Sequence, residues 1–120
     1  MCSSDLGATA LTENWDPSRG GSQNHFMLGH ALGWLYAGLG GVKLDFWRTG
    51  APPITIAPQC VAGLAGVAVE YRSVLGPIRS AWSREGAALR FDIEIPAGSA
   101  ATLALPGRAP RVVGSGRYRV

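Results

Sequence analysis

The stretch GVAVEYRSVLGPIRSAWSREGAALRFDIEI, residues 66–95, alternates apolar and polar side chains in runs that short turns separate. The alternating runs cover residues 66–72, 78–83 and 88–95. A period of two is typical of strands that bury one face. In the second run, that face would carry Ile78, Ser80 and Trp82. Short alternating strands joined by regular Gly and Pro turns indicate an antiparallel β-sandwich.

Further short runs of β character lie on both sides of this stretch, at residues 54–57, 101–105 and 116–120. A connector over residues 45–53 is predicted to precede these strands. Residues 48–120 carry nine Arg against four acidic residues, a net charge of +5. These Arg residues are spaced singly between apolar residues, as on solvated strand faces. A nucleic-acid-binding surface would instead need a basic stripe interleaved with aromatic residues.

Upstream of the strands, residues 23–39 are predicted to form a helix that is apolar on nearly its whole circumference. Ser22 is placed to act as its N-cap, and the Gly40-Gly41 pair is placed to end it. A helix of this kind is buried inside a larger structure. Residues 41–120 would hardly cover it, so the sequence predicts a partner domain in the same protein.

The segment that precedes this helix, residues 7–15, carries one isolated carboxylate, Glu13, beside Trp15. Residues 1–6, MCSSDL, are interpreted as a non-native scar and are left out of the fold. Cys2 and Cys60 fit no metal-ligand spacing, and Cys60 is expected to be a small apolar filler. We predict no cofactor, no metal, no membrane partner and no nucleic-acid partner. The cellular compartment stays open.

Taken together, several motifs resemble the C-terminal end of bacterial α-L-rhamnosidases. They are GATALTENW from residue 7, SQNHFMLGHALGWLYAGLGGV from residue 22, ITIAPQ from residue 54, and the strand pattern that follows to residue 120. That family comprises inverting glycoside hydrolases with a six-hairpin α/α barrel followed by a small β-sandwich. The resemblance implies that residues 7–44 are the end of the barrel, with its last loop and helix. The fold class is then mixed and mainly β, with residues 45–120 as the antiparallel sandwich.

The resemblance also implies roles for individual residues. Glu13 matches the family's general base, which activates the water that attacks the anomeric carbon. Trp15 would wall the sugar subsite, and His25 would contact a sugar hydroxyl. From its own chemistry, Asn24 offers the same capacity through its amide and is a further candidate for substrate binding. Many members have Trp-Glu-Arg-Trp where this chain has Thr-Glu-Asn-Trp from residue 12, which loosens the inferred substrate identity.

Inverting hydrolysis needs two carboxyl groups about 6.5–9.5 Å apart, one as acid and one as base. Asp16 lies too close to Glu13 in the sequence to act across a sugar ring, and Asp45 is read as a linker residue. The general acid is therefore expected upstream, in the rest of the barrel. The partners implied are that missing barrel and a rhamnose-containing glycoside or polysaccharide.

Three other interpretations remain open at this point. A lone Glu in a loop is usually a solvated surface group, and a lone His is usually structural. The sandwich could be a non-catalytic carbohydrate-binding or structural module. The parent could also be a six-hairpin glycosidase of another specificity. An aromatic sugar-binding platform would need exposed rings, whereas the alternation places Trp82 and Phe91 on buried faces.

Overall fold

The computed structural model of the chain describes Gly21 and residues 26–120. The chain divides into two compact units, Met1–Gly33 and Trp34–Val120. Each unit is described by itself. In the described part of the chain, no helix combines the length and the apolar character that crossing a membrane requires.

Among the described residues, helical structure starts with a 3₁₀ turn at Phe26–Gly29 and continues as a short α-helix, α1, at His30–Trp34. It ends as a π-helical turn at Leu35–Leu39, where the N–H of Gly40 donates to the Leu35 carbonyl over 2.9 Å. A helix was predicted over residues 23–39, and it is present over the described part of that range.

Apolar side chains of this helical run are largely exposed. In the first unit, Met27 is 57% and Leu32 is 59% exposed, and His30 also lies on the surface. In the second unit, Trp34 is 51% exposed. Apolar side chains that the sequence predicted to be buried are therefore exposed to solvent along much of the helical run.

Eight strands form two four-stranded sheets in the described part of the second unit. They are β1 (Val42–Leu44), β2 (Ile54–Ile56), β3 (Gly66–Ser73), β4 (Gly76–Glu85), β5 (Ala88–Ile95), β6 (Ala101–Leu103), β7 (Arg111–Val113) and β8 (Gly116–Arg119). Sheet A has the order β1-β2-β6-β7, and sheet B has the order β3-β4-β5-β8. Neighbouring strands are antiparallel except β2 and β6, which are parallel.

The core lies between the two sheets. Its fully buried large side chains come from both: Ile54, Ile56 and Leu103 from sheet A, and Ile78 and Ile93 from sheet B. Burying one such side chain contributes roughly 1.5–3 kcal/mol. The mainly-β sandwich predicted from the alternating runs is thereby confirmed.

The inward face of β4 also follows the prediction. Ile78 is fully buried, Ser80 is 1% exposed and Trp82 is 3% exposed. Ser80 is the polar residue that the described core contains, and a buried hydroxyl requires a hydrogen-bond partner. The alternation therefore places one polar donor, together with the indole N–H of Trp82, inside an otherwise apolar layer.

Candidate functional site

The four predicted site residues, Glu13, Trp15, Asn24 and His25, lie outside the described residues, and their roles stay predictions. What the structure describes is the segment that follows them in the chain and its attachment to the sandwich. Two regions of the second unit combine polar groups in a defined geometry. One is the end of the helical run, and the other is the outer face of sheet B.

At the end of the helical run, residues 38–41 present four consecutive backbone carbonyls, and the sandwich supplies a donor to each. The backbone N–H groups of Gln59 and Ala57 donate to the carbonyls of Gly38 and Gly41, each over 2.9 Å. The Trp82 Nε1–H donates to the Leu39 carbonyl over 2.9 Å, and the Ser80 hydroxyl donates to the Gly40 carbonyl over 2.6 Å. We call this set of four hydrogen bonds the helix-end clamp.

The helix-end clamp is buried and draws on both sheets. Residues 38–41 are all buried. Ala57 and Gln59 follow β2 of sheet A, whereas Ser80 and Trp82 belong to β4 of sheet B. The last carbonyls of a helix have no partner within the helix. The two sheets together therefore satisfy groups that would otherwise be buried without a hydrogen bond.

Two glycines allow this close approach. A Cβ on Gly40 would lie 2.4 Å from Cγ2 of Val69, on β3. Gly41 has a φ of +71°, and a Cβ there would lie 2.1 Å from the backbone nitrogen of Pro58. Left-handed backbone of this kind favours glycine, as is usual just past the end of a helix. The Gly40-Gly41 pair predicted to end the helix does so.

On the outer face of sheet B, small residues border a shallow trough of about 720 Å³. Cross-strand register places Ala68, Ala81, Asp92 and Arg119 in one row across the four strands. Gly66, Ser83 and Arg90 form the next row on the same face. The trough is therefore lined by small and apolar residues together with three charged ones, Arg90, Asp92 and Arg119.

The charged groups around this trough are paired with one another. Arg117 donates to both carboxylate oxygens of Asp92, from Nε over 2.8 Å and from the terminal guanidinium nitrogen over 2.5 Å. Arg119 lies 3.9 Å from the same carboxylate, and Arg90 contacts Glu85 over 2.6 Å. The hydrogen bonds from Arg117 lower the pKa of Asp92, and the same contact raises the pKa of Arg117. Asp92 is thus held ionised and does not suit a general-acid role.

The lowered pKa of Asp92 has a measurable consequence for stability. A carboxyl group with a depressed folded-state pKa stabilises the fold above its unfolded pKa of about 3.9, and this stabilisation is lost as pH falls further. We expect Asp92→Asn to lower the melting temperature slightly at pH 6, with the difference from the unsubstituted chain shrinking as pH falls below about 4. Thermal unfolding across that pH range would measure it. Arg117→Gln should lower the melting temperature with the same pH dependence, and the double variant should lower it no further than either single variant does. Fully additive losses from the two substitutions would contradict the pairing.

Trp82 and Phe91 are buried, as the alternation predicted, and neither ring is available to stack on a ligand. Trp82 and Phe91 are each 3% exposed and point into the core. Cys60 is half-buried against that core, and burial raises the pKa of its thiol, which fits the predicted role of an apolar filler. Among the residues that the structure describes, no group of three or more His, Cys, Asp or Glu is arranged to hold a metal ion.

Sequence reasoning missed the helix-end clamp, although one signal for it was present. Ser80 stands between Ile78 and Trp82 on the inward face of a strand, and a Ser in that position needs a nearby acceptor. The alternation alone did not identify that acceptor, because the Gly40 carbonyl lies 40 residues away in the sequence. Only the three-dimensional arrangement shows that the partner is the end of the helix.

Residues 41–119 match the family model described as the bacterial alpha-L-rhamnosidase C-terminal domain. A protein from Streptomyces avermitilis named alpha-L-rhamnosidase is 24% identical over 115 residues, which is 88% of this chain and 11% of that protein. The chain thus spans about a ninth of that relative's length.

Solved structures of three alpha-L-rhamnosidases share this fold. The Dictyoglumus thermophilum enzyme matches with a TM-score of 0.76 and 20% identity, covering 98% of this chain and 16% of its own. The Streptomyces avermitilis enzyme complexed with L-rhamnose matches with a TM-score of 0.73 and 24% identity, covering 96% of this chain and 14% of its own. The Aspergillus terreus enzyme matches with a TM-score of 0.73 and 24% identity, covering 98% of this chain and 15% of its own. The family match over residues 41–119 confirms the predicted resemblance, and the chain belongs to the bacterial α-L-rhamnosidase C-terminal domain family.

Proposed function

We propose that this chain is the C-terminal part of an α-L-rhamnosidase whose full-length parent hydrolyses terminal α-L-rhamnosyl linkages with inversion of configuration. The observation that carries the proposal is the family match over residues 41–119. The relative named alpha-L-rhamnosidase and the structure complexed with L-rhamnose support the same activity and substrate class.

In this proposal, Glu13 is the general base of the parent. It takes a proton from the water that attacks the anomeric carbon, while a carboxylic acid elsewhere in the parent protonates the leaving oxygen. The base must be ionised at working pH, which polar neighbours favour. Thr12 and Asn14 flank Glu13 in the sequence and offer such groups.

Trp15, Asn24 and His25 are proposed to bind the sugar. Trp15 walls the subsite with an apolar ring. Asn24 offers an amide that both donates and accepts, as a sugar hydroxyl requires. His25 falls in the first turn of the predicted helix, where the positive end of the helix dipole disfavours the imidazolium form. A neutral imidazole can likewise donate from one nitrogen and accept at the other.

The 120-residue chain by itself is expected to have no rhamnosidase activity. It would supply the base but not the acid, and a sugar ring needs both on opposite sides of the scissile bond. Release of the aryl alcohol from an aryl α-L-rhamnoside measures this, with the full-length parent assayed in parallel as the positive control. Turnover by the purified chain, abolished by Glu13→Gln, would show that the chain holds a complete site.

A structural role for residues 45–120 within the parent is the second proposal, and the helix-end clamp favours it. The clamp joins both sheets to the end of the helical run, and Trp82 and Phe91, two of the large aromatic side chains of the sandwich, face the core. Calorimetric titration of the chain with rhamnosides tests the alternative. Millimolar or tighter affinity that persists in Glu13→Gln and in His25→Ala would indicate a carbohydrate site on the sandwich.

A further inference from the structure

We propose that the outer edge of β3 is a self-association surface, at which two copies of this chain pair their β3 strands antiparallel about a two-fold axis at Tyr71. The two copies of sheet B then form one continuous sheet. In the described part of the chain, β3 pairs with β4 alone, so no strand lies along its other edge. An unpaired edge is a template for a further strand. The inference goes beyond the proposed function and does not rest on it.

The backbone groups on this edge belong to even-numbered residues. Just before β3, the Ala65 carbonyl accepts a hydrogen bond from the Arg84 N–H over 2.7 Å. The odd-numbered residues of β3 therefore point their N–H and C=O groups toward β4. Because this direction alternates along an antiparallel strand, the backbone groups of Ala68, Glu70 and Arg72 point away from β4. These are the groups to which a second strand can add.

Charge decides the register of the added strand. An axis at Tyr71 places Glu70 of each copy opposite Arg72 of the other, which gives two pairs of opposite charge. Each is also a hydrogen-bonded backbone pair, because both residues point their N–H and C=O groups to this edge. An axis at Glu70 or at Arg72 would instead put like charges directly opposite each other, which is unfavourable.

Glu70 ends a row of alternating charge that crosses the outer face of sheet B. In register from β8 to β3, the members of this row are Arg117, Glu94, Arg79 and Glu70. Arg72 of the second copy would continue the alternation past the edge of the sheet. Within its own copy, Arg72 lies opposite Pro77 on β4, so the register gives it no carboxylate there. The second copy therefore supplies a charge of the opposite sign to each of the two edge residues.

The centre of the contact is aromatic, and the contact is short. Tyr71 is 42% exposed. An axis at this position makes the two Tyr71 residues a non-hydrogen-bonded pair, in which side chains come closest, and aromatic cross-strand pairs stabilise antiparallel sheets. Residues 69–73 of each copy overlap within β3. The buried area is therefore small, and we expect a weak dimer that depends on concentration.

Charge reversal at the edge tests the pairing in the 120-residue chain, by sedimentation equilibrium at low ionic strength, where exposed charge pairs are least screened. Glu70→Arg puts an Arg opposite Arg72, and Arg72→Glu puts a Glu opposite Glu70. Each variant should raise the dissociation constant of the dimer by about tenfold, because two attractive cross-strand pairs become repulsive. An equimolar mixture of the two variants should restore association, since both charge pairs of the mixed dimer are again of opposite sign.

Arg111→Glu is the matched control for Arg72→Glu. Arg111 is exposed on β7, the edge strand of sheet A, and its reversal changes the net charge equally. It should leave the dissociation constant unchanged. Because the chain carries +3, an effect of net charge alone would make Arg72→Glu associate more strongly, the opposite of the expected result. A monomer at every concentration, an equal loss in Arg111→Glu, or a mixture that associates no better than its components would overturn the pairing.

Hydrogen exchange identifies the surface that the dimer uses. At concentrations where the dimer prevails, the amides of Glu70 and Arg72 should exchange several-fold more slowly than in dilute solution, because only the second copy gives them acceptors. The amides of Val69 and Tyr71 point toward β4 in either state and should change little. A dimer in which Glu70 and Arg72 exchange as fast as in the monomer would overturn the proposal.

Discussion

Replacing Glu13 by Gln in the full-length parent is expected to lower kcat by about 10²–10⁴-fold, the range that a positioned general base contributes. Gln has nearly the same size as Glu but cannot accept the proton of the attacking water. Because the amide can still form hydrogen bonds, KM should change little. Steady-state kinetics on an aryl α-L-rhamnoside measure both quantities, and equal losses in kcat and kcat/KM indicate an interaction made in the transition state.

Asp16→Asn is the matched control for this substitution. Asp16 is the nearest carboxylate to Glu13 in the sequence, and it lies too close to it to serve as the second catalytic group. We expect its replacement to leave kcat within a few-fold of the parent value. If Glu13→Gln were as active as the parent, or if Asp16→Asn were the variant that lost activity, the general base would have to be reassigned.

Gly41→Ala is expected to have the largest effect on stability, a loss of about 2–5 kcal/mol in the free energy of unfolding. Part of this loss arises because a Cβ is strained at a φ of +71°. The rest arises because that Cβ would lie 2.1 Å from the Pro58 nitrogen, so backbone must move. Urea denaturation of the 120-residue chain would measure it. A loss of this size is a large share of the stability of a typical domain.

Gly50→Ala separates the two causes. Gly50 has a similar φ of +76°, but nothing lies within 4 Å of the position that its Cβ would occupy. Its replacement should therefore cost only the backbone strain, about 1–2 kcal/mol. The difference between the two variants measures the close approach of the helix end to the sandwich. Equal losses would mean that residues around Pro58 move aside without cost.

Much of the sandwich could be predicted from the sequence, because one-sided burial imposes a period of two. The runs at 78–83 and 88–95 lie within β4 and β5, and their predicted inward faces are buried. Two strands were missed: β1 and β7. Each has three residues, which is too short for an alternating pattern to stand out. The parallel pairing of β2 with β6 was also missed, since periodicity carries no information on which strands are neighbours.

The candidate site depended on a different kind of inference. From the residues alone, Glu13 is a lone carboxylate, and its catalytic role comes from the family resemblance. Neither the residue pattern nor the family resemblance could identify the helix-end clamp. It joins the backbone carbonyls of residues 38–41 to donors that are distant in the sequence, some in β4 and some just after β2. Backbone acceptors leave no mark in the side-chain pattern. Ser80, a polar residue on an apolar face, was the local sign that a buried acceptor was close.

The order of the strands along the chain also limits how the sandwich can be divided. Sheet A takes its strands from residues 42–56 and 101–113, while sheet B takes its strands from residues 66–95 and 116–119. Each sheet is therefore interrupted by segments of the other, and every single cut between β1 and β8 would leave at least one sheet incomplete. The sandwich is thus indivisible as a module: a shorter version of it, whether made by proteolysis or by gene rearrangement, would expose the core between the sheets.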